Sequence, residues 1–280
     1  MRFAIVFDSP SEQGGFIPQV VDMLYQVPGA EVFTVTSEGI IDGVLNGFDA
    51  VVFPGGVASW VGLRKWGVDF AHSIRYFVAA GGGMLGICGG AYISGKDPAK
   101  IISLYCNRTL MLADIWTQPP PLIATFKEYM EMQWHRFPVT VTITGEDHPI
   151  VRGHLGEVVD IAYSGGAIMV NPGEAVTPLA FFEDGRVAAM ATTFGRGRVV
   201  LCSPHPEAPW EGDVGEPSLP WLYPAMAAWV AEPELAPDYR PLQPWEKPAL
   251  LPSALPIAAG TLVLGTGLVL GSQIKRKGST

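Results

Sequence analysis

The chain is poor in the features that grip nucleic acid, metal or an oxidising environment. Only 18 of its 280 residues are Lys or Arg, against 27 Asp or Glu, for a net charge of -9. Phosphate binding needs a basic patch and these cations are scattered, which excludes a nucleic-acid partner. Three cysteines, Cys88, Cys106 and Cys202, form no CxxC pair. Neither a disulfide framework nor a metal site is signalled, and no cofactor is implied. A secretory leader is lacking too: "MRFAIVFDSP" has five apolar residues after Arg2 and then Asp8, too short a run. With 16% charged and 48% hydrophobic residues the chain is not disordered and has ample material for a core. Its expected partner is a small-molecule or peptide-like compound.

Short apolar runs alternate with helix-like stretches through the first hundred residues, the pattern of a parallel sheet covered by helices. Strands are predicted at Arg2–Phe7, Ala30–Val35, Ala50–Phe53 and Met84–Ile87, with helices at Phe16–Tyr25 and Val68–Ala80. From Leu110 to Phe182 the runs shorten and alternate with period two, as in "FPVTVTITG", which predicts an antiparallel section. "RVAAMATTF" and "RVVLCSP" around "GRG" predict a hairpin with a three-residue loop, and a helix over Leu219–Ala231 closes the domain. The fold class is therefore α/β, a doubly wound, mostly parallel sheet of flavodoxin-like form with an antiparallel β section.

The stretch "GGGMLGICGGAY", residues 81–92, raises three readings. Gly81, Gly83 and Gly86 match G-x-G-x-x-G, but that loop must leave a strand and open a helix, and here it does the reverse. Gly90, Gly95 and Lys96 have phosphate-loop spacing, yet Asp97 stands where a magnesium-binding Ser or Thr is needed. The third reading is strand, sharp turn, helix. Gly86 and Gly90 occupy the two positions where a nucleophile elbow tolerates only small residues, and Cys88 sits between them at a helix N-terminus, which favours thiolate. The plainer alternative is a buried structural cysteine.

A nucleophilic thiol needs a base. Among five histidines, His205 alone emerges from an apolar strand end, in "RVVLCSPHPE", and Glu207 could fix its tautomer. Acyl transfer also needs donors for the developing oxyanion. Gly55 and Gly56, after the strand ending at Phe53, and the N–H of Gly89 are the candidates. Tyr92, one turn past Cys88, is a candidate substrate-binding residue, whereas Trp60, Trp66 and Trp134 read as packing, and Cys202 reads as core.

Together "FPGG", "GICGG" and "GRGRVVLCSPHPE", in that order, resemble the class I glutamine amidotransferase-like superfamily. The resemblance covers about Arg2–Ala231 and implies a Cys88-His205-Glu207 triad acting through an acyl-thioester. Glutamine-hydrolysing members carry His-Gln three and four residues after the nucleophile, where this chain has Ala91 and Tyr92. "GICGGAY" with "YSGGAIM" at Tyr163–Met169 is instead similar to the amidotransferase-like domain found at the N-terminus of biotin-protein ligases. No biotin-ligase catalytic domain follows in these residues, so biotinylation is not implied. The expected activity is that of a cysteine hydrolase or amidase on an amide C–N bond. A non-catalytic ligand-binding or regulatory module is the alternative, and a homo-oligomer or a partner synthetase remains open.

Beyond this domain, 1–231, residues 232–256 hold seven prolines and read as a semi-stiff linker. Residues 257–274 lack charge and as a helix would span about 27 Å, enough to cross a membrane. A basic tail, 275–280, follows. A transmembrane helix is thus predicted there; the positive-inside rule places the domain outside, while the missing leader places it in the cytoplasm.

Overall fold

The computed structural model describes residues 1–8, 16–97, 108–118, 136–145, 147–210 and 215–232. All fall within one compact unit, Met1–Pro248. Cys106, Trp134, the linker beyond Glu232, the predicted span 257–274 and the tail 275–280 lie outside the described residues. Among the described residues no helix is long and apolar enough to cross a membrane.

Five strands form the parallel half: β1 (Arg2–Val6), β2 (Glu31–Val35), β3 (Ala50–Phe53), β4 (Gly83–Ile87) and β11 (Gly197–Cys202), in the order β2-β1-β3-β4-β11. β3 and β4 are buried at every position, as strands covered on both faces must be. One face packs Ile5, Val52, Leu85, Val200 and Cys202 against α1 (Ile17–Leu24) and the last helix, α6 (Leu222–Ala231). The other packs Val51, Phe53, Met84 and Leu201 against α4 (Val68–Ala79), which contributes Phe70, Ile74 and Val78 at helical spacing.

The antiparallel section extends the same sheet. β11 pairs with β10 (Val187–Phe194), then come β9 (Thr177–Phe182), β6 (Phe137–Ile143) and β7 (Val158–Tyr163), while β8 (Ile168–Val170) joins β10 and β5 (Trp116–Gln118). The predicted strands agree to within one residue with those observed. The hairpin differs: Phe194 pairs directly with Gly197, leaving a two-residue loop, Gly195-Arg196. Gly195, at φ +61°, supplies the positive first position that a type II′ turn needs. Two helices escape the sequence pattern, α2 (Ser37–Ile41) and α3 (Val61–Trp66), each too short to show a period. A further short helix, α5 (Gly89–Ser94), follows Cys88 directly.

Phe53, the last residue of β3, meets Phe70 edge-on with ring centroids 6.2 Å apart, and both rings are fully buried. This contact fixes where β3 stops and the next turn begins. Phe70→Ala should cost about 3–5 kcal/mol, seen as a lower urea midpoint with an unchanged slope.

Candidate active site

The carboxyl ends of β3, β4 and β11 meet at one edge of the sheet, and each delivers one of the sequence-predicted groups. At the end of β4 the chain reverses sharply: Cys88 has φ 46° and ψ -100°, a backbone conformation that a residue with a side chain rarely adopts. Its N–H donates to the carbonyl of Cys202 at 2.8 Å, tying the turn to β11. The flanking glycines are required by contact. A β-carbon on Gly86 would lie 2.9 Å from the Gly90 carbonyl carbon, and one on Gly90 would lie 2.6 Å from Phe53 Cβ. The local sequence thus forms the strand-turn-helix elbow predicted from its spacing, with α5 starting at Gly89.

His205 follows β11, and its backbone N–H donates to the Ala162 carbonyl at 2.7 Å, so the end of β7 holds it in place. Its Nδ1 lies 2.8 Å from Glu207 Oε1, and neither residue has appreciable access to water. That bond leaves the other ring nitrogen for a reacting group. A point beside Gly55, where a β-carbon would stand, is 3.1 Å from His205 Cε1 and 3.3 Å from Cys88 Cβ. Imidazole and elbow cysteine therefore flank the same glycine, which has φ +98° and accommodates no side chain.

Burial works against the His205 imidazolium, but the charges of Cys88 and Glu207 and hydrogen bonding to both outweigh it and push its pKa up to about 10. The three groups form one buried unit, and the imidazolium is favoured while its two neighbours are anionic. Cys202 behaves in the opposite way. Burial, then the charges of Glu207 and Cys88, push its thiol well up, which leaves it neutral and suits the core role expected of it.

The surroundings show partners that the sequence did not reveal. Gly55 N–H was expected to be bare, but it donates to Ser59 Oγ at 3.1 Å. The Cys88 thiol faces the Ser164 carbonyl at 3.9 Å, in the Tyr-Ser-Gly-Gly segment noted in the sequence. Tyr92 extends from α5 to the same segment and donates its hydroxyl to the Gly165 carbonyl at 2.9 Å. Trp60 meets Tyr92 edge-on and donates its indole N–H to the Gly89 carbonyl at 3.0 Å. Phe16 sits edge-on to His205 with centroids 5.1 Å apart. Among the described residues no cluster of His, Cys, Asp and Glu could hold a metal ion.

Residues 28–213, more than half of the chain, match the family model described as biotin-protein ligase, N terminal. The chain belongs to that family. It also superposes on solved structures, a glutamine amidotransferase among them. PurLQS from Thermotoga maritima matches with a TM-score of 0.56 at 17% identity, covering 81% of this chain and 98% of its own. A glutamine amidotransferase matches at 0.53 and 18%, covering 80% and 98%. A cytoplasmic protein of Salmonella typhimurium matches at 0.53 and 13%, covering 82% and 98%. At these identities the likeness is one of fold, and the fold of this family member is amidotransferase-like. No curated protein matches the chain by sequence.

An imidazole titration by NMR should find His205 protonated up to about pH 10. In Cys88→Ala, where the favourable charge next after burial is gone, the midpoint should fall well below that. An unchanged midpoint would remove the thiolate from the unit.

Proposed function

We propose that this protein is a cysteine-dependent hydrolase that cleaves an amide C–N bond through an acyl-thioester on Cys88. The observation that carries the reading is the fully buried His205–Glu207 bond of 2.8 Å, placed across Gly55 from a thiol on a strained elbow. In the first half-reaction the Cys88 thiolate attacks the amide carbonyl, and the carbonyl π electrons move onto oxygen. The backbone N–H groups of Gly56 and Gly89 are assigned to that oxyanion, with Gly55 shaping the floor because its own N–H serves Ser59. Collapse of the intermediate breaks the C–N bond as the His205 imidazolium gives its proton to the departing amine. His205, now neutral, takes a proton from water, the resulting hydroxide attacks the thioester, and the acid leaves with regeneration of the thiolate–imidazolium pair. Glu207 holds the imidazole tautomer throughout and remains ionised.

Glutamine is not the favoured substrate. Tyr92 stands where glutamine-hydrolysing relatives are expected to hold their substrate, and its hydroxyl is committed to the Gly165 carbonyl. A small amide reaching past Trp60 and Tyr92 fits this reading better. One observation favours a second reading, a ligand-binding module without turnover: Cys88 is only 5% exposed and faces the Ser164 carbonyl.

Iodoacetamide should label Cys88, and His205→Ala should slow that labelling at least about tenfold by removing the cation that favours thiolate. On a panel of small primary amides, Cys88→Ala should abolish ammonia release and His205→Ala should reduce it by roughly 10²–10⁴. A ligand that binds wild type and Cys88→Ala equally, with no ammonia released, would decide for the second reading.

We also infer from the sequence that residues 257–274 tether the domain to a membrane. The whole chain should resist extraction from membranes by alkaline carbonate. Leu264→Arg combined with Leu268→Arg should release it, since each charge near a span centre costs about 2.5–3.5 kcal/mol on insertion scales.

A further inference from the structure

Glu207 has no exposure and two carboxylate oxygens, of which His205 serves only one. Oε2 has no hydrogen-bond partner among the described residues. A buried carboxylate with half of its capacity unmet is costly, and such atoms are paired in most native proteins, with protein or with ordered water. The nearby phenol of Tyr223 is in the same condition: the side chain is fully buried and its hydroxyl lacks a partner.

The local hydrogen bonds explain why these two groups share a neighbourhood. The loop bearing His205 and Glu207 is docked onto the segment that opens α6. Ser218 Oγ donates to the His205 carbonyl at 2.9 Å, Ser218 N–H to the Ala208 carbonyl at 2.9 Å, and Leu219 N–H to the Pro206 carbonyl at 3.1 Å. Tyr223 follows four residues later, in the first turn of α6, and lies in the same core cluster as Cys88 and Cys202. Its phenol is pushed well up, first by burial and then by the charges of Glu207 and Cys202, so it is a neutral O–H donor within electrostatic reach of the carboxylate.

We propose that Tyr223 is a positioning residue for the triad, its hydroxyl proton serving Glu207 Oε2 through one bridging water. The two oxygens are not in direct hydrogen-bond contact, and a water between two buried polar groups meets the usual minimum of partners. The role rests on the triad reading above. Without this donor the buried carboxylate would either turn from His205 or draw the proton from it, and both deprive the Cys88 thiolate of its cation.

A double-mutant cycle on the full chain tests the assignment, with the rate of Cys88 alkylation by iodoacetamide at pH 6.5 as the readout. Tyr223→Phe should slow alkylation about fivefold, the effect of one lost hydrogen bond. In a Glu207→Gln background the same substitution should change nothing, because the carboxylate it serves is gone. A purely structural tyrosine would give the same slowing in both backgrounds, and that result, or no slowing in either, overturns the proposal. Site-specific 3-fluorotyrosine at position 223 keeps the shape and alters only the acidity of the hydroxyl. Should Tyr223→Phe fail to fold, a rate change with 3-fluorotyrosine confined to the Glu207 background supports the assignment, and a change independent of Glu207 sinks it. If His205→Ala also leaves alkylation unchanged, the triad reading itself has failed, an outcome distinct from a normal His205→Ala effect with an inert Tyr223.

Discussion

Glu207 keeps its carboxylate away from water, and a charge so placed must meet opposite charge or hydrogen bonds, or else take up a proton. His205 meets it at 2.8 Å. Because the ring spends Nδ1 on that bond, its orientation is fixed and its other nitrogen is aimed by default. The imidazolium so formed is itself buried and would be unfavourable alone; its anionic neighbours reverse the sign of that burial penalty. Carboxylate and imidazole therefore hold each other in place, and each would be poorly accommodated there without the other.

The fold supplies what this arrangement requires: three chain segments delivered to one edge with little freedom. β4 and β11 lie side by side, and the Cys88 N–H to Cys202 carbonyl bond carries their pairing one step past the strand end. The elbow backbone is strained at φ 46°, a conformation usually worth of order 1–3 kcal/mol. The close approach of Gly90 to Phe53 and the edge-on Phe53–Phe70 contact hold it there, so core packing fixes the direction of the thiol. The antiparallel section has a comparable role, since the carbonyl of Ala162 at the end of β7 anchors the His205 backbone.

What could be read in the sequence was local. Continuous apolar runs marked β1, β3 and β4, and the Gly-x-Cys-x-Gly spacing marked the elbow, because the steric demand acts within five residues. His205 and Glu207 were legible for the same reason: two residues apart, they need no knowledge of the sheet. Gly55 was misjudged as a bare donor because Ser59, four residues on, turns back to take its N–H, and a turn of that kind has no period. Ser164 over the thiol and Phe16 beside His205 were out of reach for a different reason. They are brought in by the tertiary fold, through contacts that span 76 residues of chain or more.

Tyr92 has a scaffold role beside Cys88. One turn after the elbow, its side chain leaves α5 toward the Tyr-Ser-Gly-Gly segment. Here the residue is buried, its ring lies edge-on to Trp60, and its hydroxyl reaches the Gly165 carbonyl across the site. The neighbouring Ser164 carbonyl is the one that faces the thiol. The tyrosine thus ties the elbow helix to the segment over the Cys88 thiol. A shorter amide side chain at that position would have had free donor and acceptor groups, whereas the phenol has one proton and has spent it. The phenol at this position has thereby become part of the wall around Cys88.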